Sequence, residues 1–115
     1  MTTITFDVRT LEDNLADFAE AWKTGQPSDP RISFATPELL WQALTAKRWR
    51  ILQTMAGTGP LSIRELARRV QRDVKAVHAD VMALRKAGIV EKTAEGKIHF
   101  PYDAIHVDFV MKAAA

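Results

Sequence analysis

The chain has 115 residues, of which 47% are hydrophobic and 26% charged, with a formal net charge of +2 and no cysteine. This composition excludes a disordered or low-complexity chain, and the lack of cysteine excludes disulfides, thiolate metal sites and a cysteine nucleophile. Because the sequence contains no apolar run of membrane-spanning length and does not begin with a secretion signal, we expect a cytoplasmic protein without membrane contact.

The N-terminal part of the chain predicts a strand, a helix and a second strand. Residues 3–8 and 31–34 alternate polar and apolar side chains, which is typical of β-strands. The residues between them predict a helix that Thr10 caps and Gly25 ends. Its apolar positions are spaced by three and four residues: Leu11, Leu15, Phe18, Ala19 and Trp22.

The next predicted helix begins at Thr36, where a capping hydroxyl precedes a proline and a glutamate. We expect helical structure to continue through residues 47–56, with a bend near Thr45. The apolar stripe of the first part comprises Leu39, Leu40, Ala43 and Leu44.

Two further helices follow in close succession. Ser62 and Glu65 form a capping-box pattern, in which each side chain is expected to bond the other residue's amide, at the start of a short helix. Asp73 then caps a longer helix over 73–87, which Gly88 closes. The face of the longer helix predicted to be buried carries Val74, Val77, Val81 and Leu84.

The C-terminal part predicts β-structure. Residues 89–93 and 97–100 indicate an antiparallel hairpin around a turn at 94–96. Residues 104–111 predict a last strand whose apolar side chains share one face: Ile105, Val107, Phe109 and Met111.

This order of helices and hairpin resembles the winged helix-turn-helix of prokaryotic repressors of the multiple-antibiotic-resistance-regulator and arsenic-repressor type. The resemblance covers residues 44–100 and is carried by Ser-Ile-Arg-Glu-Leu-Ala (62–67) and Ala-Leu-Arg-Lys-Ala-Gly-Ile-Val-Glu (83–91). With Pro-Tyr-Asp (101–103) after the hairpin, the chain is also similar to small predicted transcriptional regulators, some of which look like antitoxins.

The predicted elements and the resemblance together give an α+β fold in three parts. An acidic β-α-β extension (1–35) would precede the winged helix-turn-helix (36–103), and a C-terminal strand and tail (104–115) would follow it. The implied function is that of a sequence-specific regulator of transcription that binds double-stranded DNA as a dimeric repressor, without a cofactor. Helix 73–87 would read the major groove, and the wing 89–100 would contact the backbone.

Burial of the valine-and-leucine stripe turns the opposite face of helix 73–87 outward, where its first turns can reach base edges. The residues predicted there are Lys75, Ala76, His78 and Ala79. Residues of the preceding helix, the turn and the wing are expected to contact phosphates: Ser62, Arg64, Arg68, Arg72, Lys92 and Lys97. Of these, Arg68, Lys92 and Lys97 could equally be solvated surface charges. Asp80 is expected to pair with a nearby basic side chain.

The charge distribution supports a second hypothesis. The first 30 residues hold six acids and two bases, whereas residues 47–97 hold twelve bases and five acids. The acidic part could bind a basic, toxin-like partner, with the winged helix as an antitoxin-like interaction module. Alone or together with strand 104–111, it could instead form the surface of a homodimer.

Enzymatic hypotheses have little support in the sequence. Asp103, His106 and Asp108 could in principle ligate a metal ion, but an exposed polar strand face explains them as well. A Ser-His-Asp set could combine Ser33 or Ser62 with His78 and Asp80, but no strained nucleophile turn surrounds either serine. We therefore expect neither catalysis nor a bound metal.

Overall fold

The computed structural model describes residues 2–9, 15–16, 19–20, 22–23, 25, 30–111 and 113. The elements within this part confirm the predicted α+β class. The strands are β1 (Thr3–Val8), β2 (Arg31–Phe34), β3 (Glu91–Lys92), β4 (Ile98–His99) and β5 (Ala104–Asp108). The helices are α1 (Pro37–Ala43), α2 (Ala46–Met55), α3 (Ile63–Val70) and α4 (Val74–Lys86). None of the helices in these ranges is long and apolar enough to cross a membrane.

A three-stranded parallel sheet has the order β2-β1-β5. The parallel pairing of β1 with β2 agrees with the predicted β-α-β connection. Asp7 of β1 is buried opposite Ser33 of β2, accepts a hydrogen bond of 2.6 Å from its hydroxyl and binds Arg31 at 3.1 Å. β5 ends at Asp108 instead of continuing to residue 111, since Phe109, Val110 and Met111 pair with no strand in the described part of the chain.

The helix predicted between β1 and β2 lies only partly within the described residues. Residues 15–16, 19–20 and 22–23 are helical, but Leu15, Ala19 and Trp22 are exposed, the last to 81%. The helical spacing of these apolar positions therefore does not bring Leu15, Ala19 or Trp22 into the core. The other positions named for this helix, Thr10, Leu11 and Phe18, lie outside the described residues.

The predicted continuous helix over 37–56 is wrong, because Thr45 starts a second helix instead of bending the first. The Thr45 hydroxyl accepts a hydrogen bond from the Arg48 amide at 3.3 Å, as a helix cap does. Leu40 of α1 and Leu44, which follows the helix, are buried, whereas Leu39 is exposed, contrary to the predicted stripe.

The following helix pair and hairpin have the order predicted from the sequence. Gln71 links α3 to α4 in the left-handed conformation, with φ of 57°. At the end of α4, the amides of Gly88 and Ile89 donate to the carbonyls of Arg85 and Leu84, which is the predicted glycine-terminated ending. The hairpin strands are shorter than predicted, and Leu61 adds a bridge to Ile98 on the free side of β4.

The buried side chains of the sheet, the helices and the hairpin form one hydrophobic cluster. In α4 this cluster contains Val77, Val81 and Leu84, all fully buried as predicted. Val74 is 41% exposed, so its predicted burial is wrong. It is the first residue after the Asp73 cap, and the helix first faces the core one turn later, at Val77.

Candidate functional site

The first turns of α3 and α4 and the turn of the hairpin meet at one open surface groove of about 420 Å³. Four of the residues predicted to bind DNA lie together in it. The lining residues are Ser62, Ile63, Arg64, Val74, Lys75, His78 and Gly96. The first turns of two helices thus present polar and cationic side chains to the same space, which the hairpin turn borders with the backbone of Gly96.

Two helix caps fix the start of each helix at this groove. The Ser62 hydroxyl accepts a hydrogen bond from the Glu65 amide at 3.1 Å. The Asp73 carboxylate accepts from the amides of Lys75 and Ala76 at 3.0 and 3.3 Å. Because a capped first turn has a defined orientation, the side chains of Arg64 and Lys75 are carried on rigid elements.

The face of α4 opposite the core is exposed, as the helical phase predicts. Lys75, Ala76, His78 and Ala79 are all exposed. The two alanines add little volume, so a flat or convex partner can come close to this face. Val74 is a lining residue that sequence reasoning missed, because its apolar character indicated the core.

The hairpin turn, which borders the groove at Gly96, is flanked by two of the predicted lysines, neither of which lines the groove. Its ends are joined by a hydrogen bond of 2.7 Å from the Thr93 amide to the Lys97 carbonyl, and Gly96 has φ of 83°. The side chains of Lys92 and Lys97 are exposed. In the described part of the chain, neither these lysines nor Arg64 and Lys75 form an ion pair, so their charges face solvent.

Arg72 is not brought into this groove. Its guanidinium turns inward and binds the Asp80 carboxylate at 2.9 Å, and Arg48 binds the other oxygen of the same carboxylate at 3.1 Å. This confirms the prediction that Asp80 pairs with a basic side chain. Arg72 is therefore engaged in linking the turn to α4 and α2, away from the phosphate position expected for it.

Arg68 is exposed, but it is paired within its own helix. The Glu65 carboxylate accepts hydrogen bonds of 2.9 Å from the Nε atoms of Arg68 and Arg69. The predicted return bond from Glu65 to the Ser62 amide is therefore replaced, and only half of the capping box forms. The hydrogen bonds from Arg68 and then Arg69 lower the pKa of Glu65 from 4.5 to about 2.

We expect Glu65→Gln to weaken the dependence of stability on acid pH. Since the pKa of Glu65 is lower in the folded protein, its contribution is complete above pH 4.5 and is lost as the pH falls towards 2. Urea unfolding followed by circular dichroism at pH 6 and pH 3 measures this. The wild type should lose more stability between these values than the variant. Glu95→Gln, at an exposed glutamate of the hairpin turn, is the control and should behave like the wild type. Equal losses in all three proteins would contradict the prediction.

Several of the residues considered for a metal site or a catalytic triad have other partners. Asp103 accepts hydrogen bonds from the amide and hydroxyl of Thr2, which hold its pKa below the ordinary value. No group of three potential ligands among the described residues is placed to hold a metal ion. Ser62 is a helix cap and Asp80 binds two arginines, so neither is arranged around His78 as a catalytic triad requires.

The acidic surface considered for a basic partner is only partly described. Asp7 is buried in its contacts with Arg31 and Ser33 and is not available at the surface. Glu20 is exposed. The remaining acids of this part, Glu12, Asp13, Asp17 and Asp29, lie outside the described residues.

Comparison with known proteins places the groove within one family. The model of the HVO_A0114 family matches residues 43–107, from the last residue of α1 to β5. No curated protein and no solved structure matches the chain. Because the family match spans more than half of the sequence, the chain belongs to the HVO_A0114 family.

Proposed function

We propose that this protein binds double-stranded DNA sequence-specifically and regulates transcription, with α4 in the major groove and the hairpin against the backbone. The observation that carries the proposal is the groove, where cations from α3 and α4 that form no ion pair with any described residue meet beside the hairpin turn. A 13-residue helix with one buried and one exposed face has the dimensions that the major groove accepts.

The candidate DNA-binding side chains fall into two groups, those that contact base edges and those that contact phosphates. Lys75 and His78 project from the exposed face of α4 and are assigned to base edges, while Ala76 and Ala79 permit close approach and can contact thymine methyl groups. The other cations and Ser62 are assigned to phosphates, which orient the protein on the duplex. These phosphate-binding residues are Ser62, Arg64, Lys92 and Lys97. Arg68 joins them only when it leaves Glu65.

The test is selection of bound duplexes from a random pool, followed by titration of the selected duplex at several salt concentrations. We expect one preferred sequence, and an affinity that falls with salt at a slope of about −0.9 per neutralised phosphate. Absence of enrichment together with absence of binding at low salt would overturn the proposal.

The wing contacts make a separate prediction. Lys97→Ala is expected to weaken binding to every duplex by a similar factor and to reduce the salt slope by about one, because it removes a phosphate contact and no base contact. Lys86→Ala is the control, since Lys86 is exposed at the far end of α4. A changed sequence preference in Lys97→Ala, or a salt slope equal to that of the control, would contradict the assignment.

A further inference from the structure

β5 is an edge strand of the parallel sheet, since β1 is its only strand partner in the described ranges. Exposed apolar side chains surround this edge. Val110 and Met111 are 77% and 89% exposed, and Trp41, 57% exposed, contacts Phe109 with ring centroids 5.8 Å apart. An open edge next to apolar side chains is a template for pairing with another strand.

The sequence of this edge is complementary to itself in one antiparallel register. With Val107 opposite Val107 of a second copy, His106 lies opposite Asp108, and Ile105 opposite Phe109. Ala104 then lies opposite Val110, so a small apolar side chain covers an exposed one. Such opposite-charge and apolar pairs are the contacts that stabilise antiparallel strands.

Neighbouring registers lose this match. Centring on His106 places two histidines opposite each other. Centring on Asp108 places two carboxylates face to face, which is destabilising. His106 and Asp108 are exposed and form no ion pair with any described residue, so both are available to a second chain.

We propose that β5 is a homodimer interface, in which two copies pair antiparallel across a two-fold axis centred on Val107. The two sheets then form one continuous six-stranded sheet with β5 strands at its centre, and the contact is the same patch on both copies. None of the residues that line the groove lies on β5, so this interface and DNA binding stand or fall separately.

The absence of cysteine from the chain allows a direct test of this register. His106→Cys and Asp108→Cys variants carry different tags and are oxidised separately and as a mixture. Directly opposite residues have Cα atoms about 4.5–5.5 Å apart, within disulfide range, whereas identical positions are diagonal neighbours about 7–8 Å apart. We expect disulfide-linked dimers chiefly in the mixture, joining the two tags.

A second measurement follows the oligomeric state by sedimentation at micromolar concentration. His106→Asp should weaken dimerisation on the order of tenfold, because two carboxylates then face each other twice in the interface. The exchange variant His106→Asp/Asp108→His should restore the dimer. Circular dichroism verifies that all variants are folded. We expect them to fold because the side chains of His106 and Asp108 are exposed.

Dimers that cross-link in the mixture and recover in the exchange variant support the proposal. A wild-type protein that sediments as a monomer at tens of micromolar overturns it. Equal cross-linking in the separate preparations, or a dimer that neither cross-links nor responds to His106→Asp, overturns it too, since the contact then lies elsewhere.

Discussion

Asp80→Ala is expected to lower the free energy of unfolding by about 3 kcal/mol. The Asp80 carboxylate binds Arg48 through one oxygen and Arg72 through the other. The two arginine side chains are only 24% and 21% exposed, so the variant leaves two cations largely withdrawn from water. The Nη1 atom of Arg72 is buried without a hydrogen-bond partner among the described residues, so the guanidinium depends on the contact that its Nη2 atom makes with Asp80.

The loss should extend beyond one ion pair. Arg48 also donates hydrogen bonds to the carbonyls of Gln42 and Ala43, at the end of α1. Asp80 therefore connects α4 with α2, with the end of α1 through Arg48, and with the turn before α4 through Arg72. Removing it frees the turn whose geometry determines where α4 begins.

Urea unfolding with linear extrapolation measures the effect. Glu91→Ala is the control, because Glu91 is an exposed acid of the hairpin and its loss should cost less than about 0.5 kcal/mol. Asp80→Asn keeps a side chain of the same size with one hydrogen-bond acceptor. Its loss of unfolding free energy should lie between those of Asp80→Ala and Glu91→Ala. A cost for Asp80→Ala no greater than that of Glu91→Ala would show that the arginines are satisfied by water.

The features of the fold that the sequence predicts well depend on local signals. The Ser62 and Asp73 caps, and the Gly88 ending of α4, each need only a few neighbouring residues to form. The helical phase of α4 is local too, and it places Lys75 and His78 outward once Val77 and Val81 are buried. This is why the α4 part of the groove could be named before its geometry was known.

The features that escape sequence reasoning depend on distant partners. Arg48 and Asp80 are 32 positions apart, and nothing near either residue indicates the other. Arg72 follows Gln71, whose left-handed conformation ends the helical geometry of α3. The direction of the Arg72 side chain therefore cannot be predicted from the helical spacing of α3. The Glu65 carboxylate could accept a hydrogen bond from the Ser62 amide or from the two nearby arginines. It accepts from the arginines, because hydrogen bonds between charged groups are stronger than those from a neutral amide.

The same distinction applies to the β-structure. The alternation of residues 104–108 predicts a strand but not its partner, since a parallel neighbour can lie anywhere along the chain. β5 pairs with β1, about a hundred residues earlier, through a register that places Val107 beside Phe6. The bridge between Leu61 and Ile98 likewise cannot be predicted from the neighbouring sequence, because a single bridging residue shows no alternation of polar and apolar side chains.

Lys75→Glu is expected to weaken binding to the selected duplex on the order of a hundredfold. Lys75 lines the groove, is exposed and has no ion-pair partner in the described part of the chain, so its charge is available to DNA. The variant removes one base contact, worth about 1–3 kcal/mol, and places a carboxylate against the duplex. Fluorescence anisotropy at a fixed salt concentration of about 0.1 M measures the change.

Lys86→Glu is the matched control, because it makes the same charge change at an exposed position of the same helix. Both variants alter the overall charge equally, so any difference between them reports position rather than net charge. Lys86 lies in the last turn, where a cation favours the helix dipole, and its variant should lose only a few tenths of a kcal/mol of stability. Equal weakening of binding by the two variants would mean that α4 meets DNA through diffuse charge alone. A Lys75→Glu protein that binds as tightly as the wild type would remove α4 from the interface.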